Sequence, residues 1–182
     1  MMESNVFLVK WYGPFTSVEE EKSWEEKQKF NCSLYLLHGM LKYAKSKETY
    51  YCGMSTRCVY ERFKDKGHHI EEVRDRLNSI YVGCISNIKN VERSQIMLVE
   101  KLITATLADE LGEQSLLNAT NFMFPDENVY VINEWYKPYG ENEVWERQPK
   151  SAPSHIVPDV LVSHLREDGY IDLFGSKKLK KL

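Results

Sequence analysis

The sequence predicts an α+β fold: a small central sheet of three mostly antiparallel strands, flanked by helices, with additions at both ends. Three observations predict it. Two short aromatic segments, Cys32 to Leu37 and Thr49 to Ser55, alternate with the two-residue period of strands occupied on both faces. A third apolar run, Ile80 to Ile85, supplies their neighbour. Between Ser94 and Leu111, Ile96, Val99, Ile103, Leu107 and Leu111 fall on one side of a helical wheel.

Taken in order, Val6 to Trp11 reads as a strand that Gly13-Pro14 closes. Ser17, with Glu20 three residues on and Glu19, Glu20 and Glu21 in the first turn, marks a helix start. Its few apolar residues, Val18, Trp24 and Phe30, place it on the outside. In the strand from Cys32, Leu34 and Leu36 point one way and Ser33, Tyr35 and Leu37 the other. A polar stretch with Lys42, Lys45 and Lys47 leads into the next strand, where Tyr51 and Gly53 share a face opposite Tyr50 and Cys52. A short helix over Val59 to Lys66 follows, with Val59 and Phe63 as its buried stripe and Arg62 beside it; Gly67 ends it, and His68-His69 come next.

On the long helix Glu100 projects into the apolar stripe, where an ionised carboxylate loses hydration and needs a partner. Beyond Asn118 the chain is punctuated by Pro125, Pro138, Pro149, Pro153 and Pro158, with strands expected at Val129 to Ile132, Val144 to Arg147 and Val160 to Val162. The expected organisation is therefore a strand-helix extension (1–31), a core (32–124) and a C-terminal extension (125–182). The basic run Lys177 to Lys181 reads as a solvated end.

Composition narrows the function classes. At 182 residues with 42% hydrophobic and 28% charged side chains, the chain is long enough to bury a core without disulfides. It has no apolar run of spanning length and no secretion signal at its start, so a cytoplasmic protein is expected. A net charge of -3 means that any phosphate binding is local. Cys32, Cys52, Cys58 and Cys84 have no C-x-x-C spacing and are expected to be reduced and mostly buried. There is no phosphate-binding glycine loop and no G-x-S-x-G nucleophile turn.

A tyrosine strand, a second tyrosine strand ending in glycine, an arginine helix, histidines, a helix with an out-of-place glutamate, and an asparagine follow one another along the chain. That order resembles the GIY-YIG nucleases. Ser33-Leu34-Tyr35 stands where the family has Gly-Ile-Tyr, and Tyr51-Cys52-Gly53 where it has Tyr-Ile-Gly. Arg62, Glu100 and Asn118 are similar to the family's helix arginine, metal-binding glutamate and terminal asparagine. Glu61 stands where the family often has lysine, and the histidines lie farther beyond Arg62 than usual.

The resemblance implies an endonuclease that hydrolyses DNA phosphodiester bonds with one Mg²⁺, Mn²⁺ substituting, held by Glu100; a two-metal site would want several clustered acids. It implies catalytic roles for Tyr35, Tyr51, Arg62, His68, His69, Glu100 and Asn118. Arg62 would bind the scissile phosphate through its planar fork. Water activation lies between the tyrosines, which the resemblance favours, and the histidines, whose ordinary pKa of about 6.5 suits a base; Tyr35 assisted by a histidine is the expected arrangement. Lys42, Lys45, Lys47, Lys64, Lys66, Arg74 and Arg76 are candidates for steering duplex or branched DNA. The other reading is a non-catalytic module that binds nucleic acid or a protein partner.

Overall fold

The N-terminal strand lies in the middle of the sheet, not at its margin. The computed structural model describes residues 4–28, 30, 32–118, 120, 122–139, 144–148, 157–165 and 171–176. Strand β1 (Ser4–Phe15) buries Phe7, Val9 and Trp11 on one face and Phe15 towards the other, so it suits an interior position. It pairs antiparallel with β4 (Leu77–Ile85) and parallel with β5 (Asn128–Tyr139).

On the far side of β4 lie β2 (Ser33–Met40) and β3 (Glu48–Ser55), an antiparallel hairpin with Tyr35 opposite Gly53. On the far side of β5 lie β7 (Val160–Leu165) and β8 (Ile171–Ser176), while β6 (Val144–Arg147) pairs with the end of β5. The order is β3-β2-β4-β1-β5-β7-β8 with β6 attached to β5, a mixed sheet of eight strands.

This overturns the expected small three-stranded centre. The three expected strands are present as β3-β2-β4, but the sheet continues through β4 into strands from both ends of the chain. Specific contacts weld the parts together. The Trp11 ring covers Gly83, where a Cβ would stand 2.8 Å from the indole, and it stacks on Trp135 at 5.3 Å between centroids. Trp11 Nε1 donates to Asn133 Oδ1 at 2.8 Å, and Asn133 Nδ2 donates to the carbonyl of Pro158 at 2.8 Å. A buried indole N–H left without that acceptor would cost about 1–3 kcal/mol.

Helices cover both faces. Helix α4 (Arg93–Leu111) packs Ile96, Val99, Leu102, Ile103 and Leu107 against Leu34, Leu36, Cys52 and Val131, each buried aliphatic side chain contributing about 1.5–3 kcal/mol. The opposite face carries α1 (Val18–Glu25), α2 (Val59–Arg62) and α3 (Ile70–Val73) over Tyr35, Leu37, Ile80 and Val82.

Ser17 caps α1 as its spacing predicts, its Oγ accepting from the N–H of Glu20 at 3.1 Å. Glu20 itself turns back to Thr16. Yet α1 is not an outer helix: Glu21, Trp24 and Glu25 are buried, with Trp24 packed among Tyr12, Phe15, Phe30 and Trp145. Of the four free cysteines only Cys52 is fully buried. No helix among the described residues is long and apolar enough to cross a membrane. The basic run Lys177 to Lys181 lies outside the described residues.

Candidate active site

The pleat of β2 turns Tyr35 to the face that carries α2 and α3, and its cross-strand partner is Gly53. The pairing explains the glycine. A Cβ at Gly53 would stand 2.5 Å from the Tyr35 hydroxyl and 2.7 Å from the Tyr51 ring, so both phenols occupy the space that any larger residue would take. The two rings lie 5.8 Å apart, Tyr35 fully buried and Tyr51 half-buried beside it on the edge strand.

His68 follows α2 and is only 5% exposed. Its Nε2 stands 2.9 Å from the Tyr35 hydroxyl, and its Nδ1 accepts the backbone N–H of Ile70 at 3.0 Å. Burial, the nearby Arg62 charge and then His69 push its pKa down to about 4, so the ring is neutral near pH 7. With Nδ1 accepting, the proton of the neutral ring sits on Nε2, which donates to Tyr35. Burial, the first cause, and Tyr51 after it raise the Tyr35 pKa far above that of a free phenol, although Arg62 opposes them. Tyr51, whose ring lies 5.8 Å from that of Tyr35, has its own pKa raised, chiefly by burial.

Arg62, at the end of α2, lies close enough to Tyr35 for its charge to act on the hydroxyl. It also pairs with Asp65, which holds Arg57 on its other side. Asp65 thereby aligns two guanidinium groups. The Arg62–Asp65 spacing of three residues is legible on a helical turn; nothing in the sequence singles out Arg57. His69 lies with its ring 4.9 Å from Tyr51 and its Nδ1 2.6 Å from Glu72.

Glu100 comes from α4, which packs on the other face of the sheet, and lines a surface pocket with Ser94, Met97, Leu98, Lys101 and Glu127; it acts on Tyr51 and Arg62 through its charge alone. It is half-buried. Burial raises its pKa to about 7, Arg62 only partly opposing, and its charge is felt at Tyr51 and Cys52. No hydrogen bond or ion pair engages this carboxylate among the described residues, and no cluster of three potential metal-ligating side chains exists there. A half-buried acid without a protein partner fits one divalent ion whose remaining positions go to water and phosphate oxygens.

Asn118 lies on the outer edge of β3. Its Oδ1 accepts from the N–H of Cys52 at 3.1 Å and its Nδ2 donates to the Cys52 carbonyl at 2.7 Å, while the N–H of Leu117 donates to Tyr50. The amide thus completes an open strand edge next to Tyr51.

The expected basic residues divide. Arg76 donates to the carbonyls of Leu41 and Ala44 and is structural. Lys64 lies over the Tyr60 ring at 5.0 Å, and Arg74 shares a cleft of about 450 Å³ with Lys22, Tyr60 and Lys64. Lys42 faces Asp75 at 3.9 Å, both well exposed; Lys45, Lys47 and Lys66 are exposed.

No family model, curated protein or solved structure matches this chain. The functional reading therefore rests on the residues themselves.

Proposed function

We propose that this chain is an endonuclease that hydrolyses phosphodiester bonds in DNA with a single Mg²⁺, or Mn²⁺ in its place. The observation that carries the reading is the meeting of Tyr35, Tyr51 and His68 within ring contact, beside the Arg62 guanidinium and within the field of the Glu100 carboxylate. Tyr35, Tyr51 and His68, from two strands and a turn, come together beside β3, and Glu100 of α4 acts on Tyr51 through its charge.

Each group has a task that its surroundings suit. Arg62, aligned by Asp65, presents a permanently charged planar fork to the scissile phosphate and stabilises the charge that grows there. Glu100 would hold the divalent ion, which supplies Lewis-acid polarisation of a phosphate oxygen and a more acidic water.

Tyr51 is the phenol placed to orient the attacking water, because it is half-buried on the edge strand while Tyr35 is fully buried behind it. Tyr35 acts behind it, its hydroxyl fixed by the His68 Nε2–H. This exchanges the roles expected from the sequence: His68, neutral and donating, holds a proton in place and removes none. The four free cysteines support a reducing compartment such as the cytoplasm.

The test is conversion of supercoiled plasmid to the nicked form. The reading expects nicking with Mg²⁺ or Mn²⁺ and none with chelator. Absence of nicking with either metal, at protein concentrations that retard the plasmid on a gel, would leave a nucleic-acid-binding module in its place.

A further inference from the structure

Residues 41–47 join β2 to β3 and carry Lys42, Tyr43, Lys45 and Lys47. Tyr43 is 89% exposed, an aromatic ring held out into solvent, and Lys42 Nζ lies 5.9 Å from its centroid. The segment is nevertheless anchored. Arg76, from the turn before β4, inserts its guanidinium under it, donating to the Leu41 carbonyl at 3.2 Å and to that of Ala44, and reaching Met40 Sδ at 3.2 Å. One side chain therefore fixes the backbone on which Tyr43 and three lysines are displayed.

Charge is concentrated there as well. Residues 40–48 carry Lys42, Lys45 and Lys47 against only Glu48, with Asp75 facing Lys42 at 3.9 Å, on a chain whose net charge is -3. Glu48 is moreover engaged with the Tyr50 hydroxyl at 3.0 Å and with His38. A basic end on an acidic molecule selects a polyanion and orients it.

We infer that this hairpin tip binds unpaired nucleotides of the substrate, the lysines taking backbone phosphates and Tyr43 stacking on a base. The inference rests on the nucleic-acid reading above and narrows it to strands with unpaired bases, single-stranded or forked. An exposed aromatic among lysines provides what such strands offer and an intact duplex hides: a free base face next to a phosphate backbone. Met40, where the tip begins, is five residues beyond Tyr35 on β2. That is roughly 17 Å of strand.

The experiment measures binding by fluorescence anisotropy with Ca²⁺ in place of Mg²⁺. The probes are an oligothymidylate of about 20 nucleotides, a blunt duplex of the same length and a fork with two unpaired arms. The proteins are the wild type, Tyr43→Ala, Tyr43→Phe and the triple variant Lys42→Ala/Lys45→Ala/Lys47→Ala; all changes lie on the surface, where folding is little affected. The wild type is expected to favour the single strand and the fork over the blunt duplex. Tyr43→Ala should weaken single-strand binding about tenfold and Tyr43→Phe less than about twofold. The triple variant should lower the slope of log affinity against log salt by about 2.

Wild-type affinity of Tyr43→Ala for all three probes overturns the inference, as does an equal loss on duplex and single strand. The two readings fail separately. Binding that responds as expected with no plasmid nicking sustains the hairpin and removes the enzyme. Nicking by the wild type with no effect of Tyr43→Ala on binding does the reverse.

Discussion

The Nε2 of His68 stands 2.9 Å from the Tyr35 hydroxyl while its Nδ1 is held by the backbone N–H of Ile70, so the imidazole is locked as a donor to the phenol. Replacing His68 by Gln, whose amide can still donate, should keep most of the cleavage rate; His68→Ala should lower it about tenfold or more, since the Tyr35 hydroxyl then loses its fixed partner. The alanine variant should also lose about 1–3 kcal/mol in urea unfolding. The His68 pKa is depressed, so the unfolded chain takes up a proton that the folded one refuses between about 6.5 and about 4. Stability contributed by the neutral ring is lost as pH falls through that window, and His68→Gln should abolish this part of the acid loss.

Gly53→Ala should do more damage than a single methyl suggests. Its Cβ would fall 2.5 Å from both Cζ and Oη of Tyr35 and 2.7 Å from Tyr51, which face it from either side. The cost in stability should be about 1–3 kcal/mol by overpacking, with cleavage reduced far more than binding. Denaturant unfolding compared with single-turnover cleavage separates the two effects.

Glu100 should behave as an acid that destabilises the empty site. Its pKa is raised from 4.5 to about 7, so the folded chain keeps a proton that the unfolded chain has released between those values, and stability falls as pH rises through that window. In chelator at pH 8, Glu100→Gln should melt higher than the wild type, and the difference should close by about pH 4.5. Added Mg²⁺ should raise the melting temperature of the wild type and leave the variant unmoved.

A pair of acids, Glu21 and Glu25, lies on α1 beside the start of α2. Glu25 accepts the backbone N–H groups of Val59 at 2.9 Å and Tyr60 at 3.2 Å, fixing the start of the helix that carries Arg62. Glu21, fully buried one turn away, has neither carboxylate oxygen bonded by a donor. Burial and the charge of Glu25 raise its pKa to about 9, which keeps Glu21 protonated at neutral pH. As pH rises from 4.5 to about 9, stability should fall for the same reason as at Glu100. Glu21→Gln, whose amide can donate to Glu25 at any pH, should remove this slope from a series of melting curves.

The candidate site was legible in the sequence where periodicity fixes a face. Alternation put Tyr35 and Leu37 opposite Leu34 and Leu36, and that placement holds; the helical wheel put Glu100 in the middle of the apolar stripe, whereas it is half-buried and lines a surface pocket with Ser94, Met97, Lys101 and Glu127. Hydrogen-bond direction was not legible. Which nitrogen of His68 carries the proton depends on the backbone N–H of Ile70, two residues on in a turn that periodicity cannot describe.

Most strands were legible as strands, β1, β5, β6 and β7 among them, but their pairing was legible only within β3-β2-β4. Parallel pairing of β1 with β5 joins residues more than a hundred positions apart, and nothing local announces it. Trp11, Gly83, Trp135 and Asn133 become one packed unit only when that pairing is known. Gly13-Pro14 misled in the same way: it reads as a strand terminator, yet β1 continues to Phe15 with a register shift against β4. Pro138 likewise sits inside β5 opposite Trp145.

The most direct test of the account is Mn²⁺ binding followed by electron paramagnetic resonance, on the wild type and on Glu100→Gln, with and without an uncleaved oligonucleotide. The account predicts one bound ion per chain in the wild type, held more tightly when nucleic acid is present, and none in the variant. Equal binding to both proteins, or two ions per chain, would contradict it.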